Sequence, residues 1–421
     1  MKLQKILSRL QKLHPKEIDL SLERCKELCK KLGNPQDKIE VISVLGTNGK
    51  NSTISAMLAI LKEAKFNCNV YTSPHILKIN ERFVFNNKEL SDDELANLFE
   101  EVEDINNNKP ITFFEILTAS YFYKAAQYPE NINLIEAGLF HRFDATNILK
   151  KNLASVICSC SIDHTDWLSK NEQTIEKIVF EKTSSLLNSK IIISNQNSSE
   201  IINIIKNNIS HNSSKKIIYN EDFSCSENEN GFIYYEDKIG GIKLPKPNIL
   251  GEFQIDNIAA AIATLRNLDF QIQEDHIKKG ITKIKSIARL QEIKTGKLKD
   301  LCKNNKIFVD GSHNPLGAVV LNNFIDKIHG NVHVILGMMN NKDHLNYISY
   351  FKNISSLITV DIKNQPNSIK GIALKEKLKH IKNISYKSSI EDAIKSVALD
   401  KDDIILITGS LYLAGEVLNL N

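Results

Sequence analysis

The residues Gly46–Thr53 (GTNGKNST) form a glycine-rich stretch whose composition suits phosphate binding. They follow the apolar run 41–45 and precede an amphipathic stretch, 52–64, so they join a predicted strand to a predicted helix. Glycine allows such a loop to fold tightly around phosphate, while backbone amides, lysine and a Ser or Thr hydroxyl supply ligands. Val44 and Asn51 depart from the strict Walker A pattern, which leaves an ordinary strand–helix turn as the alternative. The strand–loop–helix context predicts a phosphate-binding loop.

Four further polar clusters each lie at the end of a predicted strand. Each has a plain alternative: a solvated carboxylate, a capping histidine or a simple turn. Because the carboxyl ends of parallel strands meet at one edge of a sheet, their common position predicts metal or substrate ligands. The clusters are Tyr71–His75, Glu136, Asp163–Thr165 and Asp310–Pro315.

Apolar strands alternate with amphipathic helices along most of the chain, which predicts an α/β fold. The first part is predicted to be a parallel-sheet P-loop ATPase domain over residues 1–287, with a small β-rich excursion at 195–240. The remainder, 288–421, is predicted to be a smaller Rossmann-like α/β domain. The predicted strands are 41–45, 69–71, 133–136, 154–159, 191–194, 306–309, 333–336, 357–361 and 404–408. The predicted helices of the first domain are 52–64, 113–127, 174–187 and 254–268.

Composition excludes several classes of protein without selecting a function. The chain has 421 residues, of which 42% are hydrophobic and 25% charged, and its 54 basic and 50 acidic side chains leave a net charge of +4. It has no apolar run of membrane-spanning length, no apolar core of a secretory signal and no basic block of the kind that binds nucleic acid. Seven cysteines without zinc-ligand spacing favour the reducing cytoplasm. We expect a cytoplasmic monomer with no nucleic-acid or membrane partner.

Collinear motifs extend over nearly the whole chain and resemble one family. In order they are IDLSLERC (18–25), GTNGKNST, YTSPHI, NERF, ITFFEILTA (111–119), LIEAGL with RFDATN (134–147), SIDHTDWL, FEKTS (180–184), LGEFQIDNIAAA (250–261), ARLQ, VDGSHNP, GMMNNKD and TGSLYLAGEV. This order resembles the folylpolyglutamate synthase/dihydrofolate synthase family, within the wider muramyl-ligase group of ATP-dependent amide ligases.

The resemblance implies a nucleotide and metal site. The residues that match the family's ATP contacts are Gly49, Lys50, Asn51, Ser52, Asn257, Arg289 and Asp310. The residues that match its Mg²⁺ ligands are Ser73, Glu136 and His164. Lys182 matches a lysine that the family carbamylates, which turns a cation into an anion able to hold a second Mg²⁺.

The resemblance also implies a substrate site and a reaction. The residues that match the pterin region are Phe113, Phe114, Phe143, Asp144 and Ala145, and His313 and Ser410 resemble residues near the proposed glutamate site. Lys50, Lys182 and His313 are the implied catalytic residues. The implied enzyme uses ATP to activate a dihydropteroate or reduced-folate carboxylate as an acyl phosphate and then joins it to L-glutamate, with Arg289, Asp310 and His313 closing over the cleft.

Two other functions stay open at this stage. A muramyl-type ligase should carry an N-terminal UDP-binding domain, and only about 40 residues precede Val41, fewer than a domain needs. A nucleotide-binding protein without ligase activity is the second alternative.

Departures from the family pattern bear on the second alternative and on substrate range. Phe140 and His141 stand where the family has a Gly pair, and Ala288 stands where it has Gly. Glycine permits positive φ and close approach, so Phe140 and His141 predict a reshaped loop. The run Glu252–Gln254 also differs from the family's basic, histidine-containing run.

Overall fold

The computed structural model describes residues 2–16, 19–196 and 198–421. Ile18, the first residue of the motif IDLSLERC, lies outside the described residues. The chain divides into two compact units, one of residues 1–248 and 255–285 and one of residues 249–254 and 286–421. Within the described residues, no helix is both long enough and apolar enough to cross a membrane.

The helices of the first unit begin at recognisable caps. The side chains of Ser91 and Thr112 each accept a hydrogen bond from the backbone amide of the Glu three residues later. The side chain of that Glu in turn accepts a hydrogen bond from the backbone amide of the cap residue. This capping box satisfies amide groups that a helix start would otherwise leave unpaired. The helices are α1 (Lys2–Leu10), α2 (Glu23–Lys31), α3 (Lys50–Glu63), α4 (Asp92–Asn106), α5 (Phe113–Ala125), α6 (Ile175–Thr183), α7 (Ser199–Asn208), α8 (Phe253–Arg266), of which all but the first two residues belong to this unit, and α9 (Glu274–Ile281).

One large sheet organises the first unit. Its strands are β1 (Glu40–Leu45), β2 (Cys68–Tyr71), β3 (Phe83–Phe85), β4 (Lys88–Glu89), β5 (Ile132–Glu136), β6 (Ala154–Ile157), β7 (Lys190–Ile193) and β8 (Lys216–Ile218). Among the described residues the strand order is β4-β3-β2-β5-β1-β6-β7-β8. The run from β2 to β8 is parallel, and β3 and β4 add an antiparallel edge.

The strand order places β1 between β5 and β6, with β2 beyond β5. The chain therefore builds the sheet first on the β5 side of β1 and afterwards on the β6 side. Such a change of direction in the strand order opens a crevice at the carboxyl edge beside β1. Gly46 follows β1, Glu136 ends β5 and Ser73 comes shortly after β2. The sheet therefore positions the phosphate loop and two of the predicted polar clusters at one edge.

Apolar side chains of α2, α4 and α5 form a core on the sheet, including Leu28, Phe99, Ile116 and Leu117, all at most 2% exposed. A second cluster lies at β6 and β7, with α6 and α7. The strands of a parallel sheet are buried on both faces, which explains the nearly continuous apolar sequence of β1.

The prediction for residues 195–240 was wrong over its first part. Residues 199–218 form α7 and β8, which extend the main sheet rather than leaving it. Ile201, Ile205 and Ile209 are buried at four-residue spacing, but the Asn and Lys residues between them hid the helical stripe. The β-rich excursion itself is confirmed as β9 (Phe223–Glu227), β10 (Ile233–Asp237) and β11 (Gly240–Leu244), an antiparallel sheet of its own.

The second unit is built on a mostly parallel sheet. Its strands are β12 (Gln291–Glu292), β13 (Lys306–Val309), β14 (Val332–Leu336), β15 (Ser356–Val360), β16 (Ile384–Lys387) and β17 (Ile404–Thr408), in the order β12-β13-β17-β14-β15-β16 among the described residues. Its helices are α10 (Lys297–Cys302), α11 (Pro315–Ile325), α12 (His344–Ser349), α13 (Gly371–Lys377), α14 (Ile390–Lys395) and α15 (Leu411–Leu420). Val334, Leu357 and Leu406 are fully buried in its core.

Candidate active site

The glycine-rich loop turns sharply between β1 and α3. Gly46 has φ +136° and Gly49 has φ +89°, a backbone region that favours glycine. A Cβ on Gly46 would come within 2.9 Å of the Cβ and carbonyl oxygen of Cys158. The amides of Thr47 and Asn48 both donate to the carbonyl oxygen of Ser159, at 2.9 and 3.1 Å. The loop is therefore held against the chain that follows β6.

Asn257 of α8 lies directly against this loop. A Cβ on Gly49 would come 2.3 Å from its Oδ1 atom, and the side chain is 5% exposed. The structure thus brings together two residues that the family resemblance assigned to nucleotide binding. Asn51 and Ser52 lie in the first turn of α3, with Ser52 buried.

Lys50, Glu136 and Ser73 converge at the carboxyl edge of the sheet. The Lys50 ammonium donates to the carbonyl oxygens of Gly46 and Thr47 at 3.1 and 3.2 Å and lies 3.9 Å from Oε1 of Glu136. The amide of Ser73 donates to Oε2 of Glu136 at 3.2 Å. A buried carboxylate beside a lysine and a serine is a combination that can hold Mg²⁺ and phosphate together.

His164 lies on the loop after β6, near Asp163 and Phe140. Its Nε2 atom is 3.9 Å from Oδ2 of Asp163, and its ring meets the ring of Phe140 edge-on at 6.5 Å between centroids. Over residues 2–16, 19–196 and 198–421, no three His, Cys, Asp or Glu side chains gather as metal ligands. Mg²⁺ commonly binds one or two carboxylates and completes its shell with water and substrate phosphates. Glu136 is consistent with that pattern.

Lys182 of α6 is a buried lysine beside the phosphate loop. Only 2% of it is exposed, and its Nζ donates to the carbonyl oxygen of Gly46 at 3.2 Å. Burial, with a smaller contribution from the charge of Lys50, lowers its pKa to about 8. Its Nζ also lies 5.5 Å from the centre of the Phe140 ring. About a tenth of such an amine is neutral at pH 7, which makes it a nucleophile.

Phe140 and His141 occupy the position of the family's Gly pair without left-handed backbone. Both have negative φ, and they are 3% and 4% exposed. The amide of His141 donates to the carbonyl oxygen of Glu181 at 3.2 Å, which ties the loop to α6. Burial, followed by the charge of Lys182, lowers the pKa of His141 to about 4. The loop therefore accepts two large side chains by burying them beside Lys182.

Asp144 organises the loop that carries these residues. Its Oδ2 accepts from the amides of Gly138 and Leu139 at 3.1 and 3.2 Å, and its Oδ1 accepts from the amide of Thr146 at 3.0 Å. Burial raises the pKa of Asp144 in spite of these hydrogen bonds. A Cβ on Gly138 would come 2.9 Å from the Phe114 ring, so the loop approaches the start of α5 closely.

Aromatic rings and an ion pair lie at the outer side of this loop. Arg142 makes a two-pronged ion pair with the buried Glu181, at 2.8 and 2.7 Å, and Lys177 lies 3.2 Å from the same carboxylate. The guanidinium lies 4.4 Å from the centre of the Phe143 ring and 5.3 Å from that of Phe180. Both rings are more than one-third exposed.

The start of α5 is fixed from the N-terminal helices. Glu115 accepts two hydrogen bonds from the guanidinium of Arg24, at 2.9 and 3.0 Å. The preceding residues, Phe113 and Phe114, are half-buried, and Phe114 stacks on Tyr71 at 6.1 Å between centroids. Arg24, which belongs to the motif IDLSLERC, therefore has a structural role that the resemblance did not specify.

The remaining predicted residues lie in the second unit. Asp310 is buried, and its carboxylate accepts from the amides of Leu290 and Ser312 at 2.7 and 2.8 Å. It holds the backbone next to Arg289, a half-buried residue. Ala288 has φ +53°, in agreement with glycine at this position in the family.

Two predicted substrate residues of this unit have hydrogen bonds to nearby backbone. His313 has its Nδ1 atom 3.0 Å from the carbonyl oxygen of Gly311. Ser410 is buried and accepts from the amide of Tyr412 at 3.1 Å, so it caps α15. Their role toward glutamate stays a prediction.

Comparison with known proteins identifies the family. Residues 289–411 match the model of the Mur ligase, glutamate ligase domain. The dihydrofolate synthase/folylpolyglutamate synthase of Haemophilus influenzae is 30% identical, over 97% of this chain and 95% of that protein. The chain belongs to the dihydrofolate synthase/folylpolyglutamate synthase family. The predictions of the family, of an ATP-dependent ligase and of a two-part α/β fold are thereby confirmed.

Solved structures of this family superpose over nearly the whole chain. The Escherichia coli FolC in complex with DHPP and ADP matches with a TM-score of 0.88 and 26% identity, covering 99% of this chain and 97% of that one. The bifunctional enzyme of Yersinia pestis complexed with AMPPNP and Mn matches with a TM-score of 0.87 and 25% identity, with the same coverage.

Sequence reasoning missed part of the site. The burial of His141 and the Arg142–Glu181 ion pair depend on contacts between the loop after β5 and α6, which are far apart in the chain. The only indication in the sequence was that Phe140 and His141 replace the family's Gly pair. That replacement indicates a changed loop, but it does not indicate which residues the loop contacts.

Proposed function

We propose that this chain attaches L-glutamate to the carboxylate of dihydropteroate, of a reduced folate, or of both. The observation that carries the proposal is the convergence of Lys50, Glu136 and Ser73 at the edge of the sheet beside the glycine-rich loop. Membership of the dihydrofolate synthase/folylpolyglutamate synthase family supplies the reaction, and the Escherichia coli relative with DHPP and ADP supplies the substrate class.

The proposed reaction has two steps. A carboxylate oxygen of the pterin substrate attacks the γ-phosphorus of ATP in line, and ADP leaves. The amine of glutamate then attacks the acyl carbon, inorganic phosphate leaves and one proton is released. Lys50 and the loop amides hold the phosphates, so catalysis consists mainly of positioning and charge neutralisation.

Mg²⁺ fits the donors at the sheet edge. Ser73 and Glu136 would hold one ion, and His164 with a carbamylated Lys182 would hold a second. Bound there, Mg²⁺ would neutralise negative charge on the phosphates. Lys182 and His164 both contact the ring of Phe140, which supports their acting in one place.

Carbamylation of Lys182 is supported by its burial and its lowered pKa of about 8. Carbamylation requires the neutral amine, and burial makes that form accessible near neutral pH. The pterin would bind near Phe113, Phe114, Phe143, Asp144 and Ala145, where the loop after β5 approaches α5.

The oligomeric state and the compartment are also part of the proposal. We propose a monomer, to be checked by sedimentation equilibrium. We propose a reducing, cytoplasmic location, which is supported by the seven cysteines: all lie in the described residues and all are free thiols.

The test is the release of ADP with ATP, Mg²⁺ and L-glutamate, comparing dihydropteroate, tetrahydrofolate and no pterin. Turnover with dihydropteroate supports dihydrofolate synthase activity, and turnover with tetrahydrofolate supports polyglutamate synthesis. Lys50→Ala should lose at least a hundredfold in rate, whereas Lys62→Ala, an exposed lysine of the same helix, should retain full rate. Silence with both pterins in a protein that binds ATP would overturn the proposal.

A further inference from the structure

The imidazole of His141 is a buried polar group with unused hydrogen-bonding capacity. The residue is 4% exposed, and its Nδ1 atom has no hydrogen-bond partner among the described residues. Buried polar groups are nearly always paired, and an unpaired one calls for an explanation such as a catalytic or binding role. With its pKa lowered to about 4, the ring is neutral at pH 7, and one of its two nitrogens bears a proton.

Lys182 is the charged group that acts on the pKa of His141. Its charge is, after burial, the cause that lowers the pKa of His141. Phe140, the neighbour of His141, lies with its ring 5.5 Å from the Lys182 ammonium. The adjacent amides of His141 and Arg142 both donate to the carbonyl oxygen of Glu181, the residue before Lys182. The contact of the Phe140 ring and the two backbone hydrogen bonds to α6 therefore fix the Phe140–His141 segment beside this lysine.

A carbamate at Lys182 would change the hydrogen-bonding partners that its surroundings must supply. The neutral ε-amine nitrogen forms a bond to the carbon of carbon dioxide, one C=O π pair moves to oxygen, and one proton is released to solvent. The product has one N–H and two oxygens that share a single negative charge. The N–H can keep the hydrogen bond to the carbonyl oxygen of Gly46, which Nζ already makes at 3.2 Å. The Mg²⁺ that the carbamate would share with His164 would meet part of the need of these two oxygens. Their remaining lone pairs need hydrogen-bond donors, because a buried anion without partners is costly.

The groups that act on the pKa of Lys182 do not supply a free donor for those oxygens. Cys160 already uses its thiol on the carbonyl oxygen of Cys158 at 3.6 Å, and Asp163 and Asp144 are acids that would repel the anion. Lys50 is a cation but is engaged with two carbonyl oxygens of the phosphate loop. Among the described groups that act on Lys182 or are acted on by it, His141 is the neutral one with a nitrogen still unpaired.

We propose that His141 is a positioning residue for Lys182, and that its Nδ1–H donates a hydrogen bond to the carbamate formed there. The inference rests on the carbamylation of Lys182 in the proposed function. It gives the Phe140–His141 segment a purpose: Phe140 covers the lysine and His141 binds the modified form. A Gly pair offers no side chain to do either, so the role belongs to this chain's own loop.

The experiment is ¹³C NMR of the full-length protein in buffer with ¹³C-labelled bicarbonate, without ATP or pterin. The wild-type protein should show a carbamate resonance that Lys182→Met abolishes. His141→Phe keeps the ring shape but removes both nitrogens, and His141→Asn restores a nitrogen donor close to the position of Nδ1. We expect His141→Phe to need at least about tenfold more bicarbonate for half-occupancy, the ratio expected for a lost hydrogen bond to a charged group, and His141→Asn to stay near the wild-type value.

Each result decides the inference. A carbamate with the same bicarbonate dependence in wild type and His141→Phe overturns the role of His141 and leaves the carbamylation standing. No carbamate in the wild-type protein overturns both, while glutamate ligation in the ADP assay still tests the reaction separately.

A measurement on the unaltered residue covers the case in which His141→Phe does not fold. In ¹⁵N-histidine-labelled protein, added bicarbonate should shift one imidazole nitrogen resonance, and Lys182→Met should remove that shift. Absence of the shift in a protein that shows the carbamate resonance would overturn the inference.

Discussion

The two glycines of the phosphate loop leave no room for even a single side-chain carbon. Gly49 combines φ +89° with an Asn257 side chain only 2.3 Å from where a Cβ would lie. Any other residue there both strains the backbone and displaces a group assigned to the nucleotide.

We therefore expect Gly49→Ala to weaken binding of an ATP analogue at least tenfold and to lower the free energy of unfolding by about 1–2 kcal/mol. Calorimetric titration and urea unfolding measure the two effects. Gly33→Ala is the matched control, because Gly33 also has positive φ, +81°, but has only the end of the Lys38 side chain near its Cβ position, at 3.8 Å. The site assignment fails if both variants bind the analogue as tightly as the wild type.

His141 makes stability depend on pH. The unfolded chain protonates this histidine near its ordinary pKa of 6.5, whereas the folded protein does so only near pH 4. Between these values the unfolded state binds more protons, so the free energy of unfolding falls as the pH falls.

We expect His141→Phe to reduce this loss, measured by urea unfolding between pH 7 and pH 4, by about 3 kcal/mol at pH 4. His75, whose pKa burial also lowers to about 4, should maintain part of the decline in both proteins. His329→Gln, a change at an exposed histidine, should leave the wild-type profile unchanged. An unaltered pH profile in His141→Phe would show that the ring is protonated alike in the folded and unfolded states.

At the scale of elements, sequence patterns were sufficient where burial follows a simple period. The strands 306–309 and 404–408 were predicted at their observed bounds, because each is a short apolar run between turns. Helix α7 was missed because its apolar face consists of isoleucines set among Asn and Lys residues. One helix start was also imprecise: α3 begins at Lys50, two residues before the prediction, since Gly49 rather than a polar cap ends the loop.

The residues of the candidate site were predictable where they lie at the end of a strand and not where they lie on a long loop. Residues that follow strand ends, such as Ser73 and Glu136, could be grouped because a parallel sheet brings its carboxyl ends together. The residues of the loop after β5 could not be placed, since their positions depend on contacts with α6.

Helix α3, which begins at the phosphate loop, packs closely on α9. A Cβ on Gly280 would come 2.7 Å from the Cα of Ile60, a backbone atom that cannot move without shifting α3. We expect Gly280→Ala to lower the free energy of unfolding by about 1–3 kcal/mol and to weaken nucleotide binding through the displaced helix.

Urea unfolding and titration with an ATP analogue check both effects. Lys279→Ala, at an exposed neighbouring position of α9, should change stability by less than about 0.5 kcal/mol. Equal stability of the two variants would mean that α3 and α9 are less closely packed than the structure shows.

At the scale of the whole molecule, each unit has the parts of an independent folding domain. The first has its own sheet and apolar clusters, and the second has a separate sheet with Val334, Leu357 and Leu406 at its centre. A unit with its own core is expected to unfold cooperatively as a unit.

We therefore expect scanning calorimetry to resolve two transitions, each assignable by a core substitution. Leu117→Ala in α5 and Leu357→Ala in β15 both remove a fully buried side chain, at a cost of about 2–5 kcal/mol to the unit concerned. Each variant should lower the midpoint of one transition and leave the other in place, because the lost packing lies in one core only. A single transition that both variants lower together would show instead that the chain unfolds as one cooperative body, and the core of either unit would then stabilise the site in the other.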